Sequence, residues 1–144
     1  MTNKGRLHAL TITSIFIVIS LDGIASDIDC SQPRSEMEIQ HCFQVEFKKA
    51  DEKLNQVYQK LRKVTRDMGD AKASDSPQEN ALIAAQRQWI NYRDKNCNFH
   101  HSLMYRGSGA NTLFLQCKNR MTFQRAAELE GLVEAWGGMG YGQQ

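Results

Sequence analysis

The stretch from Ser35 to Gly69, SEMEIQHCFQVEFKKADEKLNQVYQKLRKVTRDMG, decides the fold of this 144-residue chain. Its apolar side chains recur at steps of three or four residues, which is the spacing of one face of an α-helix. They are Ile39, Phe43, Phe47, Ala50, Leu54, Val57, Leu61, Val64 and Met68. Ser35 and Glu38 have the spacing of a helix-capping box, and Gly69 is predicted to end the helix in a left-handed conformation. The stretch therefore predicts one long amphipathic helix.

A second helix is predicted after the small, polar segment at residues 70–76. Ser76 and Glu79 form another capping box, and Pro77 takes the first helical position, where its missing N–H costs nothing. The face predicted to be buried consists of Leu82, Ala85, Trp89, Tyr92, Phe99 and Leu103.

A third helix follows the break in the pattern at residues 106–109. Thr112 is its predicted N-terminal cap, and Gly137 with Gly138 ends it. Its predicted apolar positions are Phe114, Cys117, Met121, Leu129, Leu132 and Trp136. Because short loops join long helices and no strand pattern competes, we predict an all-α, antiparallel three-helix bundle-like domain with two disulfides.

The N-terminus has the pattern of a secretory signal peptide. Lys4 and Arg6 precede an apolar stretch, and the small residues Gly23 and Ala25 follow it. We predict a signal peptide at residues 1–25, a helical domain at 26–136 and a flexible glycine-rich tail at 137–144. The apolar stretch is short for a membrane span, so the mature protein is expected to be periplasmic or secreted, with no stable membrane anchor after cleavage.

Export affects how the four cysteines are interpreted, because thiols oxidise in such compartments. Four cysteines allow three connectivities, of which we predict the local one, Cys30 with Cys42 and Cys97 with Cys117. The alternative is a zinc site at Cys97, His100, His101 and Cys117.

Composition and motifs argue against several classes of function. The net charge of +2 is too small for a nucleic-acid-binding surface. The chain lacks a paired-histidine metalloprotease spacing, a glycine-rich phosphate loop and a nucleophile elbow. We therefore expect no enzyme activity, no cofactor, no metal and no nucleic-acid partner.

An ordered set of residues resembles the lysozyme inhibitor LprI-like family of exported bacterial domains. The set comprises Glu36, Met37, Cys42, Ala50, Asp51, Leu54, Asn55, Tyr58, Ala85, Gln86, Arg87, Trp89, Arg93, Cys97, Gly107, Ser108, Cys117, Thr122, Arg125, Glu128 and Leu129. The resemblance implies a small disulfide-linked helical domain that inhibits lysozyme. One departure falls in the loop, where the family often has two adjacent glycines before the serine and this chain has Arg106 and Gly107.

Two groups of polar residues are candidates for specific roles. The first is predicted to orient the second and third helices through guanidinium ion pairs, and comprises Arg87, Arg93, Asp94, Arg125 and Glu128. The second lies in the loop that a Cys97–Cys117 disulfide would pin at both ends. There we hypothesise that Arg106 and Ser108 bind the catalytic carboxyl groups of lysozyme, while Tyr105 and His101 pack at the rim of its cleft.

The target itself stays open at this point. The hypothesised partner is lysozyme or another peptidoglycan hydrolase, whose cleft the protein would block sterically. The alternatives are a periplasmic protein-interaction or envelope module that inhibits nothing, and an immunity protein against a peptidoglycan-degrading toxin.

Overall fold

The structure is a computed structural model that describes residues 28–69 and 76–142. Helices α1 (Glu36–Asp67), α2 (Pro77–Ser102) and α3 (Ala110–Gly137) make up most of these two ranges, which contain no strand. The predicted all-α fold is therefore confirmed. The signal peptide predicted at residues 1–25 lies outside the described residues.

Contacts between the helices show their directions. Paired side chains and backbone groups advance together along α1 and α3: Glu36 with Thr112, Phe43 with Asn119, and Lys53 with Glu130. Those between α2 and α3 run in opposite directions: Gln86 with Arg125, and Cys97 with Cys117. The bundle is therefore up-down-up, with α1 and α3 parallel and α2 antiparallel to α3.

The apolar core forms between α1 and α3. Its fully buried members are Leu54, Val57, Leu61, Val64, Ala126 and Leu129. Five of the nine positions predicted on the first helix are buried, and Ile39, Phe43, Phe47 and Met68 are half-buried. The predicted period and phase of α1 are therefore confirmed.

The buried face of α2 differs from the prediction. Gln86, Arg93 and Cys97 are buried, and Leu82 and Trp89 are half-buried. The other predicted core positions, Ala85, Tyr92, Phe99 and Leu103, are exposed. The prediction was wrong there because it followed the spacing of apolar side chains, whereas the buried face of α2 includes the polar side chains of Gln86 and Arg93.

Two predicted helix ends also differ in detail. Thr112 is not the cap of α3, which begins at Ala110 after Gly109; its hydroxyl donates to the Glu36 carboxylate instead. Gly69 lacks the left-handed φ expected of it. A side chain there would meet the Ser76 Cβ at 3.0 Å, so glycine is needed for the close approach of the two helix ends.

Both predicted disulfides are present. Cys30 is bonded to Cys42, and Cys97 to Cys117, with Cα–Cα distances of 5.5 and 5.4 Å. They close loops of 12 and 20 residues, each worth about 3 kcal/mol in the chain-entropy model. The second disulfide takes up both thiolates that the alternative zinc site requires.

The Arg93 side chain is buried where the three helices meet. It is 7% exposed, and its guanidinium lies 5.5 Å from the Phe47 ring centroid on α1 and 5.2 Å from that of Trp89 on α2. Its Nη1 donates to the Thr122 hydroxyl on α3 at 3.3 Å, and its Nε to Asp94 at 2.9 Å. One side chain thus contacts all three helices.

Asp94 balances this buried charge. Partial burial opposes its ionisation, but hydrogen bonds from Lys118 and Arg93 prevail and hold the pKa of Asp94 below its usual value. The Lys118 ammonium lies 2.6 Å from Asp94 and 4.9 Å from the Phe47 centroid. Charge and ring contacts therefore join α2 and α3 to α1.

Glu79 joins the beginning of α2 to the end of α1. Its carboxylate accepts hydrogen bonds from Arg66 at 2.6 Å and from Arg62 at 2.7 Å. The bond from Arg66 is the largest influence; together with the bond from Arg62 it outweighs partial burial and lowers the pKa of Glu79 to about 2. The backbone half of the predicted capping box forms, since Ser76 Oγ accepts from Glu79 N at 3.3 Å.

Replacing Arg93 by alanine is expected to lower the free energy of unfolding by about 3 kcal/mol, because it empties a buried site and removes the ring contacts. Arg87→Ala is the matched control on the same helix, since Arg87 is exposed, and its effect is expected to stay within about 0.5 kcal/mol. Urea denaturation followed by circular dichroism measures both values. Equal effects of the two variants would contradict the role given to Arg93.

Glu79→Gln is expected to lower stability by about 1 kcal/mol at neutral pH. The unfolded chain binds the proton near pH 4.5 and the folded chain near 2. The wild-type advantage is therefore complete above about pH 5 and disappears as the pH falls from 4.5 towards 2. Thermal melting of both proteins across this range tests it, with the exposed Glu134→Gln as the control. A difference that persists unchanged at pH 2 would exclude the ionised carboxylate as its source.

Candidate functional site

The connection between α2 and α3 is the site that the sequence singles out. Successive turns cover residues 103–109, with Met104 N donating to His101 O at 3.3 Å and Gly107 N to Met104 O at 2.7 Å. The Cys97–Cys117 disulfide closes the helix ends behind these turns. The loop is therefore short, internally hydrogen-bonded and pinned at its base.

Arg106 has an unusual backbone conformation in the middle of this loop. Its φ is +61°, and it is the only non-glycine residue with a positive φ among the described residues. The left-handed region costs a side chain roughly 1–2 kcal/mol and favours glycine. At this position the family that the sequence resembles often has the first of two glycines. This chain therefore has an arginine at a position whose backbone conformation favours glycine.

Met104 explains the two glycines of the loop. A side chain at Gly107 would meet the Met104 carbonyl oxygen at 3.3 Å, and one at Gly109 would meet the Met104 Cε at 3.2 Å. The Gly107-Ser108-Gly109 segment therefore runs close to Met104, which is still 41% exposed.

The four residues proposed to bind a target lie close together in sequence and have different surroundings. Tyr105 is 81% exposed, and the Arg106 guanidinium lies 5.5 Å from its ring centroid. Ser108 is exposed. The exposed His101 packs its ring edge-on against Phe114 at 6.4 Å, so it lies beside α3 at the base of the loop.

Sequence reasoning missed an apolar surface next to this loop. Phe99 and Leu103, one helical turn apart, are 58% and 60% exposed, and Tyr92 lies two turns earlier on the same face. They were assigned to the core because their spacing is helical and their side chains are apolar. The available signal was Cys97, because its predicted disulfide to Cys117 places that face of α2 against α3.

A basic groove, also missed, lies beside this apolar surface. It has a volume of about 270 Å³ and is lined by His100, Leu113, Gln116, Cys117 and Arg120. The Phe99 ring packs against the His100 ring at a centroid distance of 6.0 Å, so the apolar surface and the groove adjoin. Across residues 28–69 and 76–142, the Arg120 side chain makes no hydrogen bond or ion pair.

The remaining polar candidates are arranged differently from the prediction. Arg125 joins the helices through a neutral partner, donating to the Gln86 side chain at 3.1 Å, while its ion pair with Glu128 stays within α3. Arg93 pairs with Asp94 within α2 and lies 3.8 Å from Asp51 on α1, while Asp94 also pairs with Lys118 on α3. Arg87 is exposed and has no ion pair within the described ranges.

Neither a metal site nor a membrane span is found in the described part of the chain. No group of three or more His, Cys, Asp or Glu side chains there has the arrangement of a metal site. None of the three helices is long and apolar enough to cross a bilayer.

Comparison with known proteins identifies the family. Residues 29–129 match the family described as lysozyme inhibitor LprI. An uncharacterized protein of Rhizobium meliloti (strain 1021) is 32% identical over 111 residues, which cover 74% of this chain and 80% of the relative. Among solved structures there is no match. The match includes both disulfides, all of α2 and the loop with Arg106, and the chain therefore belongs to the LprI family of lysozyme inhibitors.

Proposed function

We propose that this protein is an exported inhibitor of a lysozyme-type peptidoglycan hydrolase, and that the α2–α3 loop enters the cleft of its target. Arg106 and Ser108 bind the catalytic carboxyl groups, while Tyr105 and His101 pack at the rim. The observation that carries the proposal is the left-handed backbone conformation of Arg106 in a loop that a disulfide pins at its base. Strained backbone of this kind concentrates in binding sites.

The rigidity of the loop favours this mode of binding. A loop that is already ordered loses little conformational entropy when it enters a cleft. The Cys97–Cys117 bond and the hydrogen bonds of the turns supply that order before binding. The Arg106 guanidinium lies against the exposed Tyr105 ring, so the two side chains are positioned together in the loop.

The chemistry of the target cleft matches the residues at this end of the loop. Glycosidases of this class use one carboxylic acid and one carboxylate on either side of the scissile bond. A guanidinium forms strong charge-assisted hydrogen bonds with such groups, and a serine hydroxyl both donates and accepts. Occupying both carboxyl groups would exclude the polysaccharide from the cleft.

Arg106→Gly separates the proposed contact from the fold. Glycine relieves the left-handed strain but gives the unfolded chain more freedom, so the stability is expected to change by less than about 1 kcal/mol. Inhibition is expected to weaken at least tenfold, because a charge-assisted contact in the cleft is lost. Ser108→Ala is expected to weaken it less. The measurement is the inhibition constant against lysozyme acting on a cell-wall suspension.

Arg87→Ala is the control, since it removes an exposed arginine from α2 away from the loop. It is expected to leave inhibition unchanged. Full inhibition by Arg106→Gly would show that the loop does not enter the cleft. If the wild-type protein neither inhibits nor binds lysozyme or other peptidoglycan hydrolases, the proposed function itself fails.

A further inference from the structure

The α2–α3 end of the bundle combines exposed apolar side chains with unpaired positive charge. Four neighbouring apolar residues are exposed there: Phe99, Leu103, Met104 and Tyr105. They lie at the end of α2 and in the turn that follows it. Exposed apolar surface of this kind marks an interaction site.

The stretch of sequence around this surface contains basic residues and no acidic ones. Between residues 95 and 127 the chain has five Lys or Arg residues and no Asp or Glu. Two of the five are ion-paired with the acidic residues that flank this segment, Lys118 with Asp94 and Arg125 with Glu128. The other three, Lys95, Arg106 and Arg120, have no ion pair within the described ranges. The local field therefore favours an anionic partner.

The groove beside the apolar surface adds a place for an anionic group. His100 and Arg120 line it, no acidic side chain does, and its volume of about 270 Å³ accommodates a phosphate group. The ring contact between Phe99 and His100 brings the apolar side chains next to the groove that Arg120 lines. An occupant with apolar chains and an anionic phosphate headgroup fits both parts.

We propose that this end of the protein docks reversibly on a bilayer containing anionic phospholipid. Phe99, Leu103, Met104 and Tyr105 enter the interfacial region, as apolar side chains of peripheral proteins do. Lys95, Arg106 and Arg120 contact phosphate headgroups. The association is expected to be weak and salt-sensitive, because it involves few basic residues. This docking goes beyond the proposed inhibition of a hydrolase.

The test is sedimentation of the mature, oxidised protein with vesicles of phosphatidylcholine alone or mixed with phosphatidylglycerol. Binding to the anionic vesicles is expected to be at least tenfold stronger and to fall as salt is raised. Leu103→Ser combined with Tyr105→Ser is expected to weaken it at least tenfold. Lys95→Gln and Arg120→Gln are each expected to weaken it about fivefold, the value for one basic residue near an anionic surface.

Matched controls lie at the opposite end of the bundle. Met139→Ser removes a side chain that is 65% exposed, and Lys60→Gln removes an exposed charge near the end of α1. Both are expected to leave vesicle binding unchanged. Circular dichroism of every variant checks that it is folded.

The outcomes separate this proposal from the proposed inhibition. Ser108→Ala is expected to retain vesicle binding while its inhibition weakens, whereas Phe99→Ser is expected to do the reverse. Absence of binding, equal binding to both vesicle types, or equal losses in the control variants would overturn lipid docking. In that case an acidic soluble protein would be the remaining occupant of this surface.

Discussion

A buried guanidinium sets the arrangement of the three helices. Removing a charge from water costs several kcal/mol even after the protein relaxes around it, so the Arg93 site is stable only with all its partners in place. Those partners are Phe47 on α1, Trp89 and Asp94 on α2, and Thr122 on α3. A shift of any helix along its neighbours would remove at least one of them. The site therefore fixes the register of the bundle, which interchangeable aliphatic contacts between Leu54 and Leu129 do not by themselves determine.

The same site explains why one helix could be predicted from the sequence and another could not. In α1 the buried side chains are mainly aliphatic, so apolar spacing gives both the period and the phase of the helix. In α2 the buried face includes Gln86 and Arg93, which spacing rules assign to solvent. Tyr92 is one residue from Arg93, and successive helical residues differ by about 100° around the axis. The predicted helical period of α2 was therefore right, but its predicted buried face was rotated around the helix axis from the observed one.

The third helix was only partly predictable, for a different reason. It contacts α1 on one side and α2 on another, so its buried residues do not lie in one stripe. Asn119 bonds to the Phe43 carbonyl on α1, whereas Cys117 is bonded to α2. Leu132 and Trp136 continue an apolar spacing but are 40% and 44% exposed. The buried residues of such a helix can be predicted only when the positions of both neighbouring helices are known.

The candidate site shows the limit of sequence reasoning most clearly. Glycines and the cysteine spacing were enough to predict a short, pinned loop between α2 and α3. The left-handed backbone of Arg106 could not be derived from its residue type, because arginine favours right-handed helices. The family resemblance, with glycine often at that position, was the only sequence feature consistent with it, and the structure shows an arginine where glycine would be less strained.

The distribution of charge also alters what composition alone suggests. A net charge of +2 argues against charge-driven partners when it is spread evenly. In this fold the segment from Lys95 to Ala127 contains five basic residues and no acidic ones. The up-down-up topology places that acid-free segment in one hairpin, at the end where Leu103 and Tyr105 are exposed. A nearly neutral chain thus presents a locally basic and apolar surface. That surface can attract anionic partners, which the net charge alone argues against.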